Sequence, residues 1–154
     1  MRIIGAMKMD KQRAQELLSF HSGANPDFNN PKWTNGFLGM LRPFTGVLYE
    51  TNFYEIMKCL EVLSFDFQSR EIKQETIGYL WSICHFSRAW ALHEEGMLQR
   101  NNLLTREQIQ VLDDWVDIIS YAVMNLLEGN IEEAFSEYKY YLQENNRIGA
   151  VCLL

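Results

Sequence analysis

Apolar residues recur every three or four positions along five stretches of this chain, while residues 20–50 show no period at all. Ala14, Leu17 and Leu18 behind Asp10 as N-cap predict a first helix over 10–20, ending before Ser22 and Gly23. Thr51 is a suitable N-cap for a second helix whose stripe is Phe53, Ile56, Met57, Leu60 and Leu63. Residues 64–69 read as a turn anchored by Phe65 and Phe67. A third helix then runs from Gln68 or Ser69 to about Glu95, with Gly96 as its stop. It carries two apolar stripes, Ile77, Leu80, Trp81, Cys84 and Ala91 on one side and Tyr79, Ile83, Phe86 and Trp90 on the other. A helix apolar on most of its circumference is expected to be central and buried.

Thr105 with Gln108 three residues on forms a capping box for a fourth helix. Its apolar face is Ile109, Leu112, Trp115, Val116, Ile119, Val123, Leu126 and Leu127, and Gly129 closes it. Asn130 is expected to cap a fifth helix with Ile131, Phe135, Tyr138 and Leu142 as its stripe. No stretch alternates in the manner of a strand. The chain therefore reads as an all-α, single-domain bundle of about five helices around a central buried helix at about 70–95. Residues 1–9 and 145–154 are expected to be poorly ordered, and Met7 and Met9 are as plausible as Met1 for the start of translation.

The unperiodic segment 20–50 is not an ordinary linker. It holds all three prolines, Pro26, Pro31 and Pro43, beside four glycines and the aromatics Phe20, Phe28, Trp33, Phe37, Phe44 and Tyr49. That much apolar surface does not stay in water, so the segment is expected to fold as a connector. Trp33, Phe37, Leu38, Leu41 and Phe44 are expected to form a lid on the core, Pro43 stopping any helical turn near Leu41. Any partner surface here lies on the rim, at Asn29, Asn30, Lys32 and Arg42.

With 154 residues and 47% apolar side chains, one packed core is expected. The net charge of −6 disfavours nucleic acid and anionic membrane as partners and favours a basic protein. The apolar stretch at the N-terminus is shorter than the core of a signal peptide. Cys59, Cys84 and Cys152 lack C-x-x-C spacing, so a reducing, cytoplasmic location is expected rather than a disulfide framework.

Candidate chemistry is thin. His21, His85 and His93 match no metal-ligand spacing, no nucleophile elbow exists, and Gly36-Phe37-Leu38-Gly39 lacks the lysine of a phosphate loop. No catalytic residue, metal or other cofactor is implied. Arg88 falls on an apolar stripe, which implies either an ion pair with a carboxylate such as Glu55 or Glu61, or an anion pocket walled by Trp81, His85 and Trp90. Asp113, Asp114, Asp117 and Tyr121 line the polar side of the fourth helix, and Tyr140 with Glu137 adds similar chemistry on the fifth, an acidic and aromatic surface suited to a basic partner. The expected function is a non-catalytic interaction protein, in concrete form an immunity or antitoxin-like inhibitor of a basic toxin domain. The alternative is a small-anion-binding bundle or enzyme built on Arg88, and a homodimer through the connector or the fourth helix is a third option.

Overall fold

The computed structural model describes the backbone of residues 8–152 and the side chains of 8–146. The expectation of disorder over residues 1–9 thus falls, Lys8 and Met9 apart, outside the described residues. Within them the fold is an all-α bundle without strands, containing only an isolated bridge between Leu41 and Phe44.

Five long helices carry the architecture: α1 (Lys11–His21), α4 (Glu50–Gln68), α5 (Gln74–Ser87), α7 (Arg106–Leu127) and α9 (Ser136–Cys152). Four single-turn helices link them: α2 (Pro31–Thr34) and α3 (Phe37–Leu41) in the connector, α6 (Met97–Arg100), and α8 (Ile131–Ala134). Helix α1 lies against α4 and α5, and α4 and α5 both lie against α7. Asp10 caps α1 by accepting the Arg13 N–H at 2.7 Å, as its position predicts. The capping box at Thr105 and Gln108 forms in full. Gly129, at φ +85, lets the Asn130 N–H turn back onto the Asn125 carbonyl and end α7.

The most deeply buried helix is α4 rather than the one at 70–95. Phe53, Ile56, Met57, Cys59, Leu60 and Leu63 of α4 are fully enclosed, whereas Trp81 on α5 is 60% exposed and His85 and Gly78 also face solvent. Helix α4 also continues through the expected turn at 64–69. Phe67 extends the Leu60–Leu63 stripe into the core, and Ser64 Oγ donates to the Leu60 carbonyl one turn back, a bond compatible with helix. Burial of Phe67 outweighs the turn preference of serine and aspartate here. The break comes at Arg70, whose φ is +62, and Lys73 precedes α5.

Two further boundaries differ from the periodic reading. Helix α5 gives way at Arg88 to a π-helical turn, Arg88–Leu92, closed by the His93 N–H on the Arg88 carbonyl at 2.8 Å. Gln99 Nε2 donates to the Ala91 and Leu92 carbonyls at 2.8 and 2.9 Å and satisfies the end of that turn, while Gly96 starts α6. The fifth helix is interrupted at Phe135, which buries its ring, and Ser136 Oγ takes up the Glu133 carbonyl at 2.9 Å. Asn130 makes no side-chain cap there, and α9 continues past Asn145 to Cys152.

The connector folds as a lid. Phe37, Leu38, Met40 and Leu41 are buried, Trp33 and Phe44 are half-buried, and Phe28 stays outside. His21 fastens this lid to the bundle: its Nδ1 accepts the Phe37 N–H at 3.0 Å, which leaves Nε2 to donate to Glu55 at 2.9 Å. Helix α3 sits so close to α2 that a Cβ on Gly39 would stand 2.3 Å from the Trp33 carbonyl oxygen and 2.5 Å from that of Thr34.

Two consequences are measurable. Gly39→Ala forces backbone apart and is expected to cost roughly 1–3 kcal/mol in urea unfolding, while Gly78→Ala, in open space on α5, is expected to add roughly 0.5–1 kcal/mol. Equal effects at the two glycines would contradict this packing. The second concerns Glu55, whose carboxyl is held below its ordinary range by the His21 hydrogen bond, against the opposing effect of its partial burial and with help from the positive charges of Lys32 and Arg13. A carboxyl with a depressed folded-state pKa contributes stability that is present above its unfolded pKa and lost as pH falls through the folded value. The stability gap between wild type and Glu55→Gln is therefore expected to be larger at about pH 7 than at about pH 3; a pH-independent gap overturns the assignment.

Candidate functional site

Three regions of the surface carry side chains singled out by the sequence. On α7, Asp114, Asp117 and Tyr121 project away from the buried row of Leu112, Trp115, Val116, Ile119 and Leu126. That outward face is brought against α9, whose own inward residues are Tyr138 and Tyr141. Tyr138 and Tyr141 set their rings edge-on against Phe53 at 5.6 and 5.2 Å, and Tyr141 Oη accepts the Trp115 indole N–H at 2.9 Å. Helical spacing then turns Glu137, Tyr140 and Glu144 toward the α7 face.

The result is a groove of about 450 Å³ between α7 and α9 lined by Asp114, Asp117, Glu137, Tyr140 and Glu144. A second concavity of about 370 Å³ shares Asp117, Ile118 and Glu137 with it and continues to Tyr121 and Met124. Four of the five residues assigned to a partner surface therefore line one continuous depression. Asp113 stands beside it, its carboxyl pushed up by partial desolvation and by the negative charges of Asp117 and Asp114, with Arg88 opposing. The Tyr121 hydroxyl donates to Glu133, and that bond to a carboxylate is the main cause of its raised pKa. Exposed Met124 adds apolar surface to this side, and Leu127, also exposed, does not join the buried face predicted for α7.

Arg88 is an ion-pair residue here, and its partner is neither Glu55 nor Glu61. It donates to Asp117 Oδ1 at 3.2 Å and to Ser120 Oγ at 3.1 Å, both on α7. Its side chain remains 47% exposed and that of Asp117 66%. The three residues grouped with it do not surround a common pocket. Trp81 and His85 stack on one another at 4.4 Å on the open side of α5, and Trp90 turns to the connector.

There Trp90 lines a cleft of about 340 Å³ with Phe86, Trp33, Leu38 and Arg42. The Arg42 guanidinium lies 5.4 Å from the centre of the Trp90 ring. The arginine of the aromatic pocket is thus Arg42 rather than Arg88. Trp33 is positioned by its indole N–H, which donates to the Gly23 carbonyl at 3.3 Å.

Little of the remaining chemistry is reactive. Burial pushes the Cys59 thiol up to about 12 and the Cys84 thiol up to about 11, so both stay protonated near neutrality and pack as small apolar groups. Among the described residues no three histidine, cysteine, aspartate or glutamate side chains converge on a metal-ion site. Among them, too, no helix is long and apolar enough to cross a membrane. Known family models, characterised proteins and solved structures show no significant match to this chain.

The Arg88 assignment has a direct check. An exposed pair of this kind contributes less than about 1 kcal/mol, so Arg88→Met is expected to unfold within about that margin of wild type in thermal or urea denaturation. A loss of several kcal/mol would show that Arg88 holds the bundle together.

Proposed function

We propose that this chain is a non-catalytic interaction protein that binds a basic segment of another protein in the groove between α7 and α9. The observation that carries this reading is the convergence of Asp114, Asp117, Glu137 and Glu144 with Tyr140 on one depression. Carboxylates at the walls attract a lysine or arginine side chain, and Tyr140, 62% exposed, offers a ring face to the same cation. From Asp114 to Met124 the face runs about 15 Å along α7, enough for several residues of an extended segment.

The charge of −6 supports the same choice, because it steers basic partners toward the molecule and nucleic acid away. An inhibitor that covers a basic toxin domain, as an immunity protein does, is the concrete form of the proposal. It draws on the acidic and aromatic surface shared by α7 and α9.

The test is charge reversal. A partner recovered with the tagged wild-type protein from its native cells is expected to be basic and to be released by salt. Asp114→Lys with Glu137→Lys is expected to weaken that complex by about tenfold or more without lowering the melting temperature appreciably. An unchanged affinity in the reversed variant would rule out this groove as the interface.

A further inference from the structure

We propose that the cleft between the connector and the end of α5 is a binding site for a small aromatic carboxylate, independent of the acidic groove. The two shares no lining residue: the cleft is built from the C-terminal end of α1, from α2 and α3, and from Phe86 and Trp90. Its walls are three aromatic rings, Trp33, Phe86 and Trp90, with Leu38 among them. Phe86 and Trp90 stand 5.1 Å apart, tilted by 33°, and Phe28 meets Trp33 edge-on at 5.7 Å to lengthen the wall outward. A flat ring entering such a cleft finds π faces and edges to pack against. The volume of about 340 Å³ lies at the small end of ligand pockets, which sets the ligand at one or two fused rings.

Arg42 supplies the charge selectivity. Its guanidinium is held over the Trp90 ring and makes no ion pair among the described residues, in contrast to Arg13 and Arg88, which are paired with Glu16 and Asp117. Among the described residues no hydrogen bond occupies its N–H donors, so the fork is available to a ligand. That fork matches a carboxylate bidentately. A cation over a ring at the mouth of an aromatic cleft, in a chain of net charge −6, makes this spot selective for an anion although the molecule as a whole repels anions. The π-helical turn at Arg88–Leu92 is what brings Trp90 round to this cleft while Arg88 reaches α7, and such turns recur at functional sites.

Calorimetric titration of the full chain with indole-3-acetate, phenylacetate and 2-naphthoate, each paired with its uncharged alcohol, tests the site. At least one carboxylate is expected to saturate below about 1 mM, with amide shifts in a nitrogen-edited NMR spectrum centred on Trp33, Arg42 and Trp90. Arg42→Gln is expected to weaken the carboxylate by about 10- to 100-fold and its alcohol by less than about twofold, and Arg42→Lys to fall between, since it keeps charge without the fork. Asp114→Lys with Glu137→Lys is expected to leave this binding intact, which separates the cleft from the acidic groove. Absence of saturation by all three carboxylates at about 5 mM, shifts centred elsewhere, or equal weakening of acid and alcohol in Arg42→Gln each overturns the proposal.

Discussion

Phe53 and Trp115 lie face to face at the centre of the molecule, 5.6 Å apart and within 10° of parallel. The seating of the connector and of α9 on the bundle is built on this contact. It fixes α4 against α7; Phe37 meets Trp115 from the connector at 6.4 Å, and Tyr138 and Tyr141 meet Phe53 from α9. The indole N–H of Trp115, buried and in need of an acceptor, finds the Tyr141 hydroxyl. Four segments far apart in sequence thus converge on two rings. Because Tyr138 and Tyr141 must face inward to reach them, Glu137, Tyr140 and Glu144 are left facing the acidic side of α7. The groove is a geometric by-product of packing the core.

The helices were legible where one physical signal acted alone. The capping box at Thr105 and the N-cap at Asp10 are local hydrogen bonds between residues three apart, and both form as their spacing implies. The sequence was misleading where local and tertiary preferences conflicted. Ser64 and Asp66 favour a turn, but Phe67 needs the core, and α4 therefore continues; Asp66 is held by the Lys11 ammonium at 2.6 Å instead. On α5 the opposite happened. Trp81 counted toward an apolar stripe, yet its indole covers His85 on the surface, since an aromatic side chain satisfies a periodicity count wherever it ends up.

The sites divide in the same way. Asp114, Asp117 and Tyr121 are visible in the sequence as a polar helix face, and Tyr140 as an interface-type aromatic beside Glu137. That α9 would bring Glu144 into the same groove was not visible, as it depends on the Trp115–Tyr141 bond between helices. Arg88 falls on an apolar stripe by periodicity, but a helical projection shows direction and not neighbour, and a π-helical turn alters direction as well. Arg42 stood in the sequence as an exposed rim residue beside Pro43. Its relation to Trp90 spans 48 positions and has no local signature.

The groove and the cleft also rest on different kinds of interaction. The α7–α9 groove depends on stacked rings and one indole hydrogen bond, from Trp115 to Tyr141. The cleft depends on a connector that approaches the bundle through His21, with Nδ1 bound to the Phe37 N–H and Nε2 to Glu55. The bond from Nε2 is what holds the Glu55 carboxyl below its ordinary range, so the charge that orients the ring persists into acid. The hold on Phe37 is passed along α3 to Leu38 and, beyond it, to Arg42 at the cleft. The same histidine that closes the lid over the core thus sets the geometry of the aromatic wall, while the acidic face across the molecule is shaped by the core rings themselves.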